Sequence, residues 1–516
     1  MSTGLTVRSF WEGRVDATPD RTFLLTDAGR SSFRQFDASV NRVAGGLRHL
    51  GVGEGHLLSY HLPNGVALLR LELAAQKLGA ITVPLIPGST FDEIGYVLDH
   101  ARADYLVVDT AGMQTLGGAT PSGVALVAVG NARDGSLGEL ESDETERPPS
   151  IATGPRDPMS IRYTSGSTGQ PKGVVQPSAG FARAGRAIAD RLGIGLTDNV
   201  FSTMPLFHTA ATHMMLAPAI AAGCAFTVVP QFSRSAFWDQ IHSAGGTIAL
   251  LIPAQLSILM TAAPDARDRD NPLRIVFSHV RPEEFCERFG VDVCTTWAMT
   301  ETSGMGTFTT PGRTSYAPEL IGRPMPDDAQ IKVCGPDGER LPAGELGELC
   351  FRHPDQMIEY YRDEVNTAAT LRDGWVHSGD LCRLDEDGNA YFHGRLKNVI
   401  KRAGENIAGE EVEFTVMAHP EVEECLVCGV EDPIYTEEVC AVVVARPGRE
   451  VSEADVVNWC ADRLSAWKVP RYVHLRRDPL PKLANGKIDR RSVVAEISAG
   501  IAEVWDRRAS EVHQHG

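Results

Sequence analysis

The sequence lacks any long run of Lys or Arg. Its 49 basic residues are outnumbered by 67 acidic ones, which gives a formal net charge of −18. Nucleic-acid phosphates attract the opposite sign, so this balance argues against a nucleic-acid surface. At 516 residues, 43% hydrophobic and 22% charged, the chain has an ordinary globular composition but exceeds what one core usually holds. We therefore expect at least two domains and small-molecule partners.

Cysteine is absent before Cys224, and the ten cysteines that follow are irregularly spaced. This pattern favours reduced thiols in the cytoplasm over a disulfide framework. The close pair Cys425 and Cys428 leaves a redox or metal role open, but the apolar run 425–430 predicts a buried strand in which cysteine is a small core residue. No second pair has the spacing typical of zinc ligands.

Uninterrupted apolar runs are also missing. Residues 199–233 contain no Asp, Glu, Lys or Arg, yet proline, histidine and glycine interrupt them repeatedly. A membrane-spanning helix needs about twenty mostly apolar residues without such breaks. We therefore expect no membrane span, and instead buried helices and strands. Charged residues soon after the start, such as Arg8 and Glu12, lead us to expect no secretory signal.

Helical and strand patterns alternate along most of the chain. This alternation predicts an α/β fold with largely parallel sheets covered by helices. Residues 110–155 are rich in Gly, Ser, Asp and Glu and are interpreted as surface loops, whereas short alternating strands in 329–351 predict a small β-subdomain. The segment 385–389 (DEDGN) has its glycine in the wrong position for a calcium loop and is predicted to be a hairpin turn.

The segment 163–174 (YTSGSTGQPKGV) combines three glycines, four aliphatic hydroxyls, one proline and one lysine. Glycines let backbone N–H groups converge, hydroxyls add donors, and Lys172 supplies a positive charge, so the pattern favours phosphate binding. A flexible connector is the alternative. However, the segment 160–163 predicts a strand that leads into the loop, and Pro171 stiffens it. The spacing is not that of a Walker loop.

This segment resembles the signature of the adenylate-forming enzymes, which include acyl-CoA synthetases, peptide-synthetase adenylation domains and beetle luciferases. The chain looks most like acyl-CoA ligases of the carnitine/crotonobetaine and medium-chain type. The resemblance implies that a carboxylate attacks the α-phosphate of ATP to give acyl-AMP and pyrophosphate, and that coenzyme A then displaces AMP. It assigns nucleotide binding here to Thr164, Ser165, Gly166, Ser167, Thr168, Gly169 and Lys172.

Other segments match the same family in order. The resemblance implies that Trp297 borders the nucleotide, that Thr300 contacts the α-phosphate and that Glu301 helps to hold Mg²⁺. It also implies that Asp380 binds the ribose hydroxyls, which suits a carboxylate facing a vicinal diol. Two basic residues complete the expected nucleotide and catalytic set, with Arg395 near the ribose and phosphates and the catalytic Lys487 near the reacting groups.

The resemblance further implies a large domain, residues 1–396, and a mobile α+β lid, residues 397–516, with the hinge at Lys397. Histidine 208 is expected to line the acyl pocket and to move between half-reactions. The remaining assignments are the acyl-pocket residues Ser278, Ala298 and Met299 and the coenzyme A-binding residues Arg402, Gly404 and Glu405.

The chain departs from the family pattern near the nucleotide and acyl sites. Trp297-Ala298 stands where the family usually has Tyr-Gly, and residues 275–284 lack the usual glycine. The leading hypothesis is an acyl-CoA ligase that carries out both steps. The alternatives are an enzyme that only converts a preformed acyl-adenylate to the thioester and a non-catalytic acyl-adenylate-binding protein. The acid remains open, as does a homodimer.

Overall fold

The computed structural model describes residues 5–26, 29–117, 123–164, 171–313, 316–317, 319–396, 399–481 and 488–509. Helices α2 and α4 begin at capping boxes, in which Ser32 pairs with Gln35 and Thr90 pairs with Glu93. The first elements are α1 (Val7–Ala17), β1 (Thr22–Thr26), β2 (Gly29–Ser32), α2 (Phe33–His49), β3 (Leu57–His61), α3 (Val66–Lys77), β4 (Ile81–Pro84), α4 (Phe91–Ala101), β5 (Tyr105–Val108), α5 (Thr110–Thr115) and β6 (Ala125–Ala128).

The middle of the chain continues the strand–helix alternation. A π-helical turn, Thr212–Leu216, joins α7 to α8, so 209–222 is one continuous helical segment. The elements are β7 (Pro158–Thr164), β8 (Lys172–Pro177), α6 (Ser178–Leu192), β9 (Asn199–Ser202), α7 (Thr209–Ala211), α8 (Ala217–Ala222), β10 (Ala225–Val228), α9 (Phe237–Ala244), β11 (Ile248–Leu250), α10 (Pro253–Met260), β12 (Ile275–Ser278), α11 (Glu283–Phe289) and β13 (Asp292–Ala298).

The next part is mainly antiparallel. Asp385 accepts hydrogen bonds from the backbone and side-chain nitrogens of Asn389 at the turn between β20 and β21, so the predicted hairpin turn is confirmed. The elements are β14 (Gly306–Phe308), β15 (Leu320–Met325), β16 (Gln330–Cys334), β17 (Gly347–Arg352), β18 (Glu359–Tyr360), α12 (Glu364–Thr370), β19 (Leu371–Arg372), β20 (Trp375–Leu384) and β21 (Ala390–Arg395).

The C-terminal part is a separate α+β unit, called the lid below. Cys425 and Cys428 are buried in its strand β24, as predicted. The lid elements are β22 (Val399–Arg402), β23 (Glu405–Ala408), α13 (Gly409–Met417), β24 (Val422–Asp432), β25 (Thr436–Ala445), α14 (Glu453–Ala461), β26 (Tyr472–Arg476), α15 (Arg490–Gly500) and β27 (Trp505–Asp506).

Three sheets organise the described residues. In the largest, β1, β10, β9, β11, β12 and β13 run parallel, and the antiparallel strands β14, β15, β21, β20, β17 and β16 extend it in that order. The second sheet has the order β18-β8-β7-β4-β3-β5-β6, and the lid has its own sheet. The predicted α/β fold, with parallel sheets, a small β-subdomain and an α+β C-terminal domain, is confirmed.

The interpretation of residues 110–155 as surface loops is wrong in part. This segment contains α5 and β6, and it buries Leu137 and Leu140 in the main hydrophobic core. These two leucines are separated by polar residues, so the local composition indicated a loop although the side chains pack inward. None of the described helices combines the length and apolar character that crossing a membrane requires.

The close approach of this segment to α2 gives a stability prediction. A Cβ added at Gly46 would lie 2.0 Å from the Leu140 carbonyl oxygen, whereas one added at Gly13 in α1 has no neighbour within 4 Å. We expect Gly46→Ala to lower the midpoint of thermal unfolding, with a cost of about 1–3 kcal/mol for overpacking. The control Gly13→Ala should leave the midpoint unchanged or raise it, because alanine favours a helix by about 1 kcal/mol. Equal midpoints for the two variants would contradict the packing described here.

Candidate active site

A cavity of about 300 Å³ lies between the two large-domain sheets and the lid. Its walls include residues at or just beyond the ends of several strands, such as Thr164, Leu250, Ser278 and Ala298. The carboxyl ends of parallel strands are a common place for ligands in α/β proteins. The lid contributes Gly404, Glu405, Trp467 and Lys468 to the same cavity.

Thr164 and Pro171, the described residues on either side of the predicted phosphate loop, both line this cavity. Thr164 ends β7 and pairs with Lys172 at the start of β8. The Lys172 Nζ donates to Asn366 Oδ1 at 2.6 Å and lies 5.2 Å from the centre of the Tyr360 ring. The lysine is therefore anchored at the base of the loop. The predicted residues Ser165, Gly166, Ser167, Thr168 and Gly169 lie outside the described residues.

Glu301 lines the cavity with one carboxylate oxygen fixed. The Tyr360 hydroxyl donates to Glu301 Oε1 at 2.7 Å, and the Glu301 carbonyl accepts from the Met357 backbone N–H. Burial and the neighbouring Glu301 raise the pKa of Tyr360, so it remains a donor. A carboxylate at the cavity wall that is held through one oxygen in this way fits a Mg²⁺ ligand. Sequence reasoning missed Tyr360, which belongs to the short strand β18.

Two predicted nucleotide residues are in direct contact. The Trp297 indole N–H donates to Asp380 Oδ2 at 2.8 Å, and both side chains are buried. The backbone of Asp380 lies opposite that of Arg395 in the β20–β21 hairpin. Neither Trp297 nor Asp380 lines the cavity itself. In this arrangement the indole orients the Asp380 carboxylate that the sequence assigned to the ribose.

His208 joins the large domain to the lid. Its Nε2 lies 2.8 Å from Glu405 Oε1 at the start of β23. Burial disfavours the charged carboxylate, but the adjacent imidazole outweighs it and holds the pKa of Glu405 below its usual value. The preceding Gly404 has a φ of +87°, and a Cβ there would lie 2.9 Å from Ile252 Cδ1 in the large domain. Only glycine fits this approach without strain.

A buried cation supports the segment that carries His208. The Arg162 guanidinium lies 3.3 Å from Glu72 and donates to the carbonyls of Leu206 and Phe207. Arg162 is in β7, two residues before the end of that strand, and its side chain is 3% exposed. Sequence reasoning treated this position only as part of a strand. The structure makes it the link between the strand before the phosphate loop and His208.

The predicted acyl-pocket residues lie together in the cavity. His208, Ser278, Ala298 and Met299 all line it. Ser278 is 2% exposed, and its Oγ has no hydrogen-bond partner among the described residues. The surrounding wall is mostly apolar and sulfur-containing, with Met204, Phe207, Met214 and Leu250.

The predicted coenzyme A residues divide into two groups. Gly404 and Glu405 line the cavity, but Arg402 does not. The Arg402 side chain instead binds Glu438 within the lid, with Nε 2.6 Å from Oε2, and lies over the Tyr435 ring. The predicted hinge Lys397 and the predicted catalytic Lys487 lie outside the described residues.

A second contact between lid and large domain surrounds Lys468. Its Nζ lies 3.0 Å from Glu93 Oε1 in α4 and 2.7 Å from Glu411 Oε1 in α13. The Ser465 hydroxyl also donates to Glu93. Burial disfavours the charged lysine, but the two carboxylates outweigh it and raise the pKa of Lys468. The cation therefore bridges the two domains.

Comparisons with known proteins agree with this geometry. The family model described as AMP-binding enzyme matches residues 11–361, and the model of the AMP-binding enzyme C-terminal domain matches residues 411–487. A crotonobetaine/carnitine–CoA ligase of Escherichia coli O157:H7 is 31% identical over 515 residues, which cover 95% of this chain and 99% of the relative.

Two solved structures of o-succinylbenzoate CoA synthetase from Bacillus subtilis are also similar. Each is 25% identical and covers 94% of this chain and 97% of its own. The TM-score is 0.83 for the double mutant bound to its product analogue OSB-NCoA, and 0.68 for the complex with AMP. Because the two sequences are nearly the same, this difference reflects conformation.

The fold, together with the cavity that the large domain and the lid both line, defines an adenylate-forming enzyme. The chain belongs to the family of AMP-binding enzymes. It is an acyl-CoA ligase, which forms the CoA thioester of a carboxylic acid through an acyl-AMP intermediate and uses ATP. The two alternatives that the sequence left open, a thioesterification-only enzyme and a non-catalytic binding protein, are not favoured over this activity.

The bridge at Lys468 gives a prediction about the lid. Lys468→Met removes the cation between Glu93 and Glu411 and leaves two buried carboxylates facing each other. Breaking a buried pair in this way costs about 3–5 kcal/mol. We expect the lid to leave the large domain more often, which small-angle X-ray scattering would record as a larger radius of gyration.

The matched control is Arg449→Met, which removes an exposed ion pair on the lid surface. Arg449 is 65% exposed and lies 3.4 Å from Glu421. Exposed pairs contribute little, so the radius of gyration of this control should equal that of the unmodified protein. A Lys468→Met protein that scatters like this control would contradict the bridging role.

Proposed function

We propose that the chain forms the CoA thioester of a compact carboxylic acid that carries no charge besides its carboxylate. We also propose that the described arrangement of the lid serves the transfer of the acyl group to CoA. The observation that carries the proposal is the contact between His208 of the large domain and Glu405 of the lid at the cavity. The higher TM-score against the relative bound to a CoA product analogue supports the same assignment.

The charges of the cavity support an uncharged acid. Arg162 is paired with Glu72, Lys468 with Glu93, and Glu405 with His208. Glu301 lies with the proposed phosphate-binding residues, so no described carboxylate at the acyl wall is left to face a quaternary ammonium. We therefore propose an acid different from the betaine named in the Escherichia coli relative. The apolar wall formed by Met204, Phe207, Met214 and Leu250 suits an aromatic or short branched acid.

For the adenylation step we propose that the phosphate loop, Lys172 and Thr300 position ATP and that Asp380 binds the ribose. Glu301 would hold Mg²⁺, which offsets phosphate charge when bound. Lys487 would be brought to the reacting carboxylate and α-phosphate by rotation of the lid about Lys397, because a fixed cation there offsets the charge of two anions. The lid boundary at residue 397 is part of this proposal.

For the thioester step we propose that His208 accepts the proton of the CoA thiol. If Nε2 carries the proton that contacts Glu405, then Nδ1 is the basic nitrogen of the neutral ring. The Glu405 carboxylate would stabilise the imidazolium that forms. The thiolate then attacks the acyl carbonyl, the bond to the AMP oxygen breaks, and AMP leaves.

One pair of assays tests the function. Pyrophosphate exchange with a panel of carboxylic acids measures adenylation, and consumption of CoA with synthetic acyl-AMP measures the thioester step. We expect both activities with uncharged aromatic or branched acids, and neither with betaines. If thioester formation from acyl-AMP occurs but none of the acids supports pyrophosphate exchange, the protein is the thioesterification-only enzyme. We also propose a cytoplasmic location and a homodimer. Light scattering after size exclusion measures the molar mass and so tests the homodimer.

Two variants should separate the half-reactions. We expect Glu405→Gln to slow thioester formation from acyl-AMP by about ten- to a hundredfold and to affect pyrophosphate exchange little, because the amide cannot stabilise an imidazolium. Lys487→Ala should instead slow pyrophosphate exchange and affect thioester formation from acyl-AMP little, since the Lys487 cation serves only adenylation. Equal losses of both half-reactions in both variants would show that these residues do not divide between two lid positions.

The acyl wall gives a prediction about specificity. Ser278→Ala should lower kcat/KM about three- to tenfold for a hydroxylated acid that uses the Ser278 hydroxyl and leave its deoxy analogue unchanged, because a hydrogen bond contributes about 0.5–1.5 kcal/mol. The matched control is Ser303→Ala, since Ser303 is also buried without an Oγ partner among the described residues but does not line the cavity. If Ser278→Ala and Ser303→Ala show the same ratio of kcat/KM between the hydroxylated acid and its deoxy analogue, Ser278 does not select the acid.

A further inference from the structure

Three metal-ligating side chains meet, with a fourth beside them, on one face of the β-subdomain, away from the cavity described above. They come from three adjacent strands, with Cys334 in β16, Glu348 and Cys350 in β17, and His377 in β20. Register places them on one face, because Cys334 is opposite Glu348 and Cys350 is opposite His377. The ligand atoms of Glu348, Cys350 and His377 all lie within 4.8 Å of one another.

The distances among Glu348, Cys350 and His377 are close to the edges of a tetrahedral zinc site, whereas Cys334 lies outside this three-residue group and would complete the site by a rotation of its side chain. The two sulfur atoms of Cys334 and Cys350 are 3.5 Å apart, and Cys350 Sγ lies 3.4 Å from His377 Nδ1. Zinc–ligand bonds of about 2.0–2.3 Å give tetrahedral edges of about 3.8 Å between two sulfurs and about 3.6 Å between sulfur and nitrogen. His377 Nδ1 and Glu348 Oε2 are 2.7 Å apart, so they would need to separate by about 0.6 Å.

The surroundings suit a closed site. Cys334 and Cys350 are 1% and 0% exposed, and the His377 side chain is 7% exposed. Glu348 is already oriented, since its Oε1 accepts from the Gly379 backbone N–H at 2.9 Å and its Oε2 from Arg372 at 3.4 Å. Burial, and then the neighbouring Cys334, raise the pKa of the Cys350 thiol. A metal ion that binds the Cys350 sulfur would replace the thiol proton.

We propose that Cys334, Glu348, Cys350 and His377 form a structural binding site for Zn²⁺. Two thiolates, an imidazole and a carboxylate are a ligand set that zinc accepts, and four protein ligands leave no open position for catalysis. The ion would link strands β16, β17 and β20. Its ligand His377 precedes, in β20, the residue Asp380 that is proposed to bind the ribose. Zinc would thus stabilise the sheet that carries part of the nucleotide site.

The experiment uses Co²⁺ as a spectroscopic probe for the full chain after removal of metals by a chelator. Thiolate bound to Co²⁺ gives a charge-transfer absorption band that carboxylate and imidazole alone do not. We expect one equivalent of Co²⁺ per chain to produce the band, Zn²⁺ to abolish it by displacement, and Zn²⁺ to raise the midpoint of thermal unfolding. The absence of the band from the fully reduced, unmodified protein would overturn the proposal.

Variants locate the site. Cys350→Ser and, as a milder change, His377→Gln should each remove the band and the thermal shift. The matched control is Cys382→Ala, which removes another buried thiol of β20 outside the cluster and should keep both signals. If the band survives in Cys350→Ser, the thiolates belong elsewhere, for example to the lid cysteines, and the assignment is wrong.

Discussion

The close approach of the lid strand β23 to the large domain is the constraint on which the site depends. Gly404 lies so near Ile252 that a Cβ would come within 2.9 Å of its Cδ1, and this approach brings Glu405 to His208. Lys468 holds the same two domains together through Glu93. In this arrangement the acyl wall, the residues Thr164, Thr300 and Glu301, and the lid line one cavity.

The large domain holds its half of the site with buried polar contacts. Arg162 binds the carbonyls behind His208, Tyr360 fixes one oxygen of Glu301, and Trp297 orients Asp380. Each contact ties a residue beside the cavity to a neighbouring strand or loop. An unpaired buried group would cost about 1–3 kcal/mol, so each contact also favours a single geometry. We infer that the large domain presents a rigid surface and that changes between steps come from the lid.

The fold and part of the cavity could be predicted because their signals are local. Alternating strand and helix patterns gave the parallel sheets, and short motifs gave His208, Ser278, Ala298 and Glu301, which the structure brings together. The missed features join residues far apart in sequence, such as Glu301 with Tyr360, 59 positions away, and Glu93 with Lys468, 375 positions away. The cluster around Cys350 escaped for the same reason, since register between strands assembles it and no spacing motif marks it. The Arg402 side chain lies away from the cavity and binds the buried Glu438, a partner that the lid motif does not reveal.

We propose that the lid contacts described above belong to the thioester step and are released for adenylation. Hydrogen exchange of the unmodified protein, followed by mass spectrometry, tests it in helix α4 around Glu93 and in residues 463–469. With a non-reactive acyl-AMP analogue and CoA, we predict that both segments are protected. With the acid and a non-hydrolysable ATP analogue, we predict faster exchange in both, because the lid has turned away. Equal protection in the two states would contradict the account.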